Sequence, residues 1–419
     1  MRVTWKQLNL LTALLLAPAA SPHAAPLLEK QDLFEEKKDG FRVYRIPGII
    51  VTAKGAALAY CEARKYTGFD WGEMEIHLRR STDGGRTWEP ARQVAHLAPR
   101  SARNSVAVEK KSKKDIGGPD EQTVHNAVAI ADHDGTVHFL YCVEYMRCFY
   151  QQSKDDGVTW SPPREITPTF DAFRRDWPWR VIATGPGHGI QLRTGRLIVP
   201  VWVAASQDSA HGNAIASTIY SDNHGASWQR GKIAVPNDDI TPGTSECIAV
   251  ELSDGRVMLN VRTRAKQNRR VVTFSPDGAT SWTKPEFAPE LLEPVCMAGL
   301  VKHPGAPASN NKPLLLFSNP NALVRADGLA GPGKRHDRRE LTIKASFDDG
   351  RTWPVSRLLQ PGASAYSDLA VLPDGTILCF YERGRPGQEK AKKLWPYTYL
   401  TLARFNLEWL IEGKDALKR

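Results

Sequence analysis

The chain has 419 residues, of which 41% are hydrophobic and 24% charged, and a formal net charge of +10. A basic balance of this size suits an acidic partner. The chain carries no helix-turn-helix, RNA-binding or zinc-finger signature, so a nucleic acid is not the expected one.

In chain order, the first segment is a basic stretch with Arg2 and Lys6, a short apolar run rich in leucine, and a small-residue region ending near Ala25. It reads as a secretory signal over residues 1–25, too short to span a bilayer. No later apolar run is long enough to span one, so residues 26–419 read as one secreted or periplasmic domain with a charge of +8. Short strand-like runs follow, beginning at Gly48, Ala56, Thr136, Leu197, Val257 and Pro313. Turn dipeptides punctuate them: Asp134-Gly135, Thr194-Gly195, Asp254-Gly255 and Asp374-Gly375. Many short strands with glycine-rich turns predict an all-β fold, and only the tail after Asn406 reads as helical. The polar stretches 103–119 and 306–311 and the Gly/Pro-rich stretch 328–333 read as loops.

Five segments are variants of Ser-x-Asp-x-Gly-x-Thr-Trp, beginning at Ser81, Ser153, Ser221, Ser275 and Ser346, with spacings of 72, 68, 54 and 71 residues. Self-similarity at this period predicts an array of small β units. The aspartate can bond nearby backbone N–H groups, glycine accepts positive φ, and the tryptophan is placed to pack between neighbouring sheets. Asn223 replaces the aspartate of the third copy, and Ala279 the glycine of the fourth. Five copies and one unit shared by both chain ends suggest a six-bladed β-propeller. The six cysteines have no metal-ligand spacing; they read as buried free thiols, with a Cys142–Cys148 pair possible in an oxidising compartment.

The motif Tyr44-Arg45-Ile46-Pro47, the five turn boxes and the ordered motifs after them resemble the exo-sialidases of glycoside hydrolase family 33. The resemblance runs from about Phe41 to about Asn406. It implies a six-bladed propeller that releases terminal sialic acids from glycoproteins, glycolipids or oligosaccharides, with no cofactor and no metal. By motif, Arg45, Arg262 and Arg338 match the cluster that clamps the substrate carboxylate, with Arg339 as the alternative third member. Arginine stays charged and forks onto carboxylates, which suits that task. Tyr366 resembles the nucleophile and Glu246 its base. A neutral phenol suits an anomeric carbon that itself bears a carboxylate, and sialidases are the tyrosine exception among glycosidases. The phenol is expected to be activated by Glu246, with the arginines favouring the phenolate. Asp70 resembles the general acid/base, ahead of Glu73 and Glu75, and its pKa is expected to be raised. Glu62 and Arg64 match a Glu-x-Arg under the substrate, whose arginine reaches toward the sugar's N-acyl or hydroxyl side. Glu382 matches the acid that orients Arg45.

One departure stands out. Where animal relatives place two tyrosines, this chain has Val201-Trp202-Val203-Ala204, which suggests an indole-lined pocket wall. The segment 144–147 is a second candidate lining. Rival readings keep the fold but change the function. They are a hydrolase of another 2-keto sugar acid such as Kdn or Kdo, a non-catalytic sialic-acid-binding propeller, and a structural or protein-binding propeller.

Overall fold

A computed structural model describes residues 24–66, 68–96, 103–107, 121–207, 211–305, 309–323, 338–387 and 395–412. Residues 1–23 of the signal reading, most of the loop 103–119, part of 306–311 and the whole of 328–333 lie outside the described residues. The fold is all-β, as the run of short strands predicts. The α-helices among the described residues are two short ones, Thr167–Asp171 and Leu407–Ile411. The second falls where the tail reads as helical, and Asn406 caps it by accepting a hydrogen bond from the Trp409 N–H at 3.0 Å.

The strands form five sheets in chain order. The first holds Val43–Val51, Ala57–Arg64, Met74–Ser81 and Arg92–Ala95. The second is built on Val124–Ala131, Val137–Val143 and Arg147–Ser153, the third on Val181–Thr184, Leu197–Ala204 and Ala214–Ser221, and the fourth on Cys247–Glu251, Val257–Val261 and Arg269–Ser275. The last sheet is seven-stranded, and its 17-residue strand Val355–Val371 changes partner along its length. Residues 355–363 pair with Arg339–Ser346, and residues 364–371 with Ile377–Arg383. The amino-terminal strand Leu28–Glu35 pairs antiparallel with Tyr399–Phe405, so both chain ends enter one sheet.

The turn boxes follow their expected chemistry. In the first, Asp83 Oδ1 accepts from the N–H groups of Arg86 (3.0 Å) and Thr87 (2.9 Å), and Ser81 Oγ accepts from the Gly85 N–H at 2.9 Å. The third keeps this turn with an amide: Asn223 Oδ1 accepts from the Ser227 N–H, and its Nδ2 donates to Ser227 Oγ, both at 2.9 Å. The fourth is one residue shorter than the motif suggests. Gly278, not Ala279, donates to Ser275 Oγ, and Thr280 takes the threonine position on Asp277. Each box tryptophan packs between sheets. Trp88 lies against residues of the first and last sheets, Trp160 between the first and second, Trp228 between the second and third, Trp282 between the third and fourth, and Trp353 between the fourth and last. The six cysteines are buried and unbridged, although Cys142 and Cys148 are register partners. No helix among the described residues is long and apolar enough to cross a membrane.

Candidate active site

Three register breaks build the site. They fall in strands of the first, second and last sheets, between Arg45 and Gly48, between His125 and Val128, and between Ser364 and Ser367. Such bulges re-aim side chains and leave backbone groups out of the ladder. Buried glutamates take up those groups. Glu382 Oε1 accepts from the Ile46 N–H and its Oε2 from the Tyr366 N–H, both at 3.0 Å, while Glu62 Oε1 accepts from the Asn126 N–H at 2.9 Å. Ile46 and Asn126 have φ of 59° and 52°, a region that asparagine tolerates and a β-branched isoleucine rarely takes. Glu382 therefore does two things. It fixes the two bulges, and it accepts Arg45 Nε at 3.0 Å, which orients the first arginine as its motif implies.

Tyr366 stands at the centre. Its hydroxyl donates to Glu246 at 2.5 Å (Oε1) and 2.7 Å (Oε2) and accepts from Arg262 Nη1 at 2.8 Å. Arg262 Nη1 also donates to Glu246 Oε2. Glu246 and Arg262 come together because they extend the ladder of Cys247–Glu251 with Val257–Val261: the Arg262 N–H donates to the Glu246 carbonyl at 2.9 Å. The Arg45 and Arg338 guanidiniums lie 5.3 and 5.1 Å from the Tyr366 ring centroid. Of the two alternatives for the third arginine, Arg338 is therefore the one at the tyrosine. It is buried and donates to Tyr397 Oη at 3.0 Å and the Val295 carbonyl at 2.6 Å. Tyr397, which no motif marks, lies under Arg45 at 4.0 Å and so joins two of the three arginines.

The protonation states correct part of the sequence reading. Burial and the adjacent Glu246 carboxylate push the Tyr366 phenol well above its ordinary value, and Arg262 and Arg338 pull the other way without prevailing. The arginines thus favour the phenolate, as expected, but do not offset burial and Glu246. Glu246 moves down. Burial would raise its carboxyl, but Arg262, His211 and the Tyr366 hydrogen bond outweigh it. A protonated phenol thus faces an ionised carboxylate, an arrangement fit for proton transfer between the two.

Asp70 also departs from expectation. Its pKa is lowered, not raised: burial acts upward, but the charges of Arg64, His211 and Arg45 win. Arg64 Nη1 donates to Asp70 Oδ1 at 3.2 Å, and His211 Nε2 lies 4.0 Å from Oδ2. The carboxyl sits at the solvent edge with 40% of its side chain exposed. Glu73 and Glu75 turn away from it, toward His96 at 3.0 Å and His77 at 3.1 Å.

Arg64 holds the Asp70 loop instead of reaching for a sugar. Its side chain is 1% exposed, and its donors go to Glu62 Oε2 (2.6 Å), the Gly68 and Phe69 carbonyls (3.1 and 2.7 Å) and Asp70. Trp202 is likewise not a pocket wall. It is fully buried, and His211 stacks on it at 4.7 Å and 23°. Of the segment 144–147, Tyr145 packs on Trp71 at 4.7 Å near Asp70, whereas Arg147 pairs outward with Glu165 at 2.6 Å. His211 and Tyr397 carry no sequence signal, because each is marked only by neighbours distant along the chain.

Taken together, the architecture defines an all-β, turn-box protein with an arginine-ringed tyrosine–glutamate pair and an acid at its rim. The chain belongs to the BNR repeat-like domain family, whose model matches residues 101–379. It is 34% identical over 406 residues to a sialidase of Micromonospora viridifaciens, covering 93% of this chain and 55% of the relative. It is 29% identical over 366 residues to a sialidase of Bacteroides fragilis, covering 82% of this chain and 60% of that relative. The chain thus spans less than two thirds of the length of these two curated relatives. Among solved structures it resembles the Hadza microbial sialidase Hz136, with a TM-score of 0.66 and 27% identity, covering 89% of this chain and 67% of that one.

Proposed function

We propose that this chain is a secreted or periplasmic retaining exo-α-sialidase on a six-bladed β-propeller, removing terminal α-linked sialic acids from glycans. The blade count is supported by the long strand Val355–Val371. Counted once with each set of partners, it divides the seven-stranded sheet into two four-stranded units, which with the other four sheets makes six. Localisation rests on the signal-like residues 1–25 alone, and residues 26–419 are read as one catalytic domain.

The observation that carries the activity is the Tyr366–Glu246 hydrogen bond set among Arg45, Arg262 and Arg338. The three guanidiniums offer a substrate carboxylate charge and forked donors. Tyr366 Oη attacks the anomeric carbon as its proton passes to Glu246. The bond to the leaving oxygen breaks, and that oxygen takes the proton of Asp70. Water then attacks the same carbon and gives a proton to Asp70. The bond to Tyr366 breaks, and the phenol recovers its proton from Glu246. Substrate binding itself favours the acid form of Asp70: its carboxylate neutralises Arg45, one of the charges that depress the aspartate, and its bulk excludes water.

The test is turnover on a panel of aryl ketosides. Release of sialic acid, inhibited by the flattened 2,3-dehydro analogue, is the expected result, since a transition-state mimic binds more tightly than substrate. Hydrolysis of Kdn or Kdo ketosides alone would change the substrate, and no hydrolysis of any would end the enzymatic reading.

A further inference from the structure

Arg270 and Glu293 form an ion pair that the proposed reaction does not use. Their side chains are 0% and 1% exposed, so neither can touch a substrate. Burying two charges is costly, and an apolar pair of similar volume is often as stable. What the pair holds in place is therefore informative.

One side of the pair grips the strand that leads into Arg262. Arg270 Nε donates to Asn260 Oδ1 at 2.6 Å and its Nη2 to the Asn260 carbonyl at 3.3 Å. Asn260 lies in the strand Val257–Val261, two residues before Arg262. The other side closes the turn 293–296. Arg270 Nη1 donates to Glu293 Oε2 at 2.5 Å and to the Cys296 carbonyl at 3.0 Å, and Glu293 Oε1 accepts from the Cys296 N–H at 2.9 Å. Inside that turn Val295 has φ of 58°, which a β-branched residue takes only when its surroundings impose it. The carbonyl of Val295 accepts from Arg338 Nη2 at 2.6 Å. One buried pair thus connects the backbone before Arg262 to the carbonyl that holds Arg338.

We propose that Arg270 and Glu293 are positioning residues for the arginine clamp: they brace the 293–296 turn against the strand leading into Arg262, and so set where Arg338 stands relative to Arg262. This rests on the reading of those two arginines as binders of the substrate carboxylate. Forked guanidinium donors meet a carboxylate only in a narrow geometry, so a loosened turn weakens the clamp without touching the reacting atoms.

The experiment measures kcat and KM on an aryl α-sialoside, and the dissociation constant of the 2,3-dehydro analogue, for Glu293→Gln, Arg338→Ala and the double variant. Thermal melting checks that each is folded. Glutamine keeps the shape and loses the charge that holds Arg270. Glu293→Gln is expected to raise KM and the dissociation constant about tenfold, the worth of one weakened charge-assisted hydrogen bond. Little change in kcat is expected, because the carboxylate is held alike in ground and transition states. In the Arg338→Ala background the same substitution should weaken binding no further. Where Glu293→Gln does not fold, Arg270→Met with Glu293→Leu replaces it, since that pair leaves no charge buried alone, and the same rise is expected. Unchanged KM in a folded variant, a loss confined to kcat, or an undiminished effect in the Arg338→Ala background overturns the proposal. A parental chain that neither cleaves the sialoside nor binds the analogue overturns the sialidase reading, and the brace's role with it.

Discussion

Tyr366 and Glu246 are 120 residues apart in sequence, and the phenol of one donates to the carboxylate of the other at 2.5 Å. With the phenol pKa pushed up and the carboxylate pKa pulled down, the proton rests on Tyr366. Glu246→Gln keeps an acceptor of the same shape but cannot take a proton. We expect kcat to fall by about 10²–10⁴-fold, the usual worth of a positioned base, with a much smaller change in KM. Tyr366→Phe should abolish labelling by a 3-fluoro sialosyl fluoride, which peptide mapping of the parent should locate on Tyr366. Normal labelling of the Phe variant would remove Tyr366 as nucleophile.

Arg262 donates through one nitrogen to both members of that pair. Lysine at this position keeps the charge and loses the fork. Arg262→Lys should lower kcat/KM tenfold or more, since one charge-assisted hydrogen bond is worth about 1.5–3 kcal/mol. Unchanged kinetics would take Arg262 out of the clamp.

The motifs and the contacts were not equally legible in the sequence. The turn boxes were, because their hydrogen bonds run between residues two to four apart and recur with the same chemistry. Even there, the one-residue contraction at Gly278 is visible only in three dimensions. Arg45, Arg262, Glu246 and Tyr366 were found by motif. The partners that set their behaviour were not, since Tyr397 reaches Arg45 from the far end of the chain. Trp202 shows the limit most directly. Its strand was readable, but its burial depends on His211, which arrives from another segment and covers it.

That placement changes what a Trp202 substitution should do. Trp202→Ala removes a fully buried side chain and the platform under His211. The expected loss is about 3–5 kcal/mol of stability, as for other buried large-to-small changes. Preference among N-acyl variants of the substrate should move little, because the ring does not reach the surface. Denaturant unfolding with parallel kinetics checks both halves. A stable variant with altered N-acyl preference would restore Trp202 as a wall.

Asp70 gives a pH signature. Arg64, His211 and Arg45 together outweigh burial and lower its pKa in the free protein, and a bound carboxylate opposes them. The protonated form is needed for attack on alkyl glycosides, so activity falls as pH rises through the pKa of Asp70. The alkaline limb of kcat, which reports the bound state, should lie at higher pH than that of kcat/KM. Arg64→Gln removes a depressing charge and should shift the kcat/KM limb upward. Asp70→Ala should be crippled on sialyllactose yet much less affected on substrates with acidic phenol leaving groups. Equal losses on both would argue that Asp70 acts in binding.

A second pH effect belongs to stability. His188 Nδ1 lies 2.7 Å from Asp368 Oδ1, and both residues are buried. Asp368 also accepts from the Ile49 N–H at 3.0 Å, so the pair ties the short strand Gly187–His188 to the first and last sheets. Burial works against the imidazolium, but Asp368 outweighs it, and the His188 pKa is raised above the ordinary histidine value. A group with a raised folded-state pKa binds its proton more tightly when folded. Its contribution is therefore complete below the unfolded value, about 6.5, and is lost as pH rises through the folded one. The melting temperature of the parent should fall across that interval more steeply than that of His188→Gln, which cannot carry the charge. Denaturation followed from about pH 5 to 9 would reveal the difference. Parallel curves for the two proteins would show that the His188–Asp368 pair does not titrate with folding.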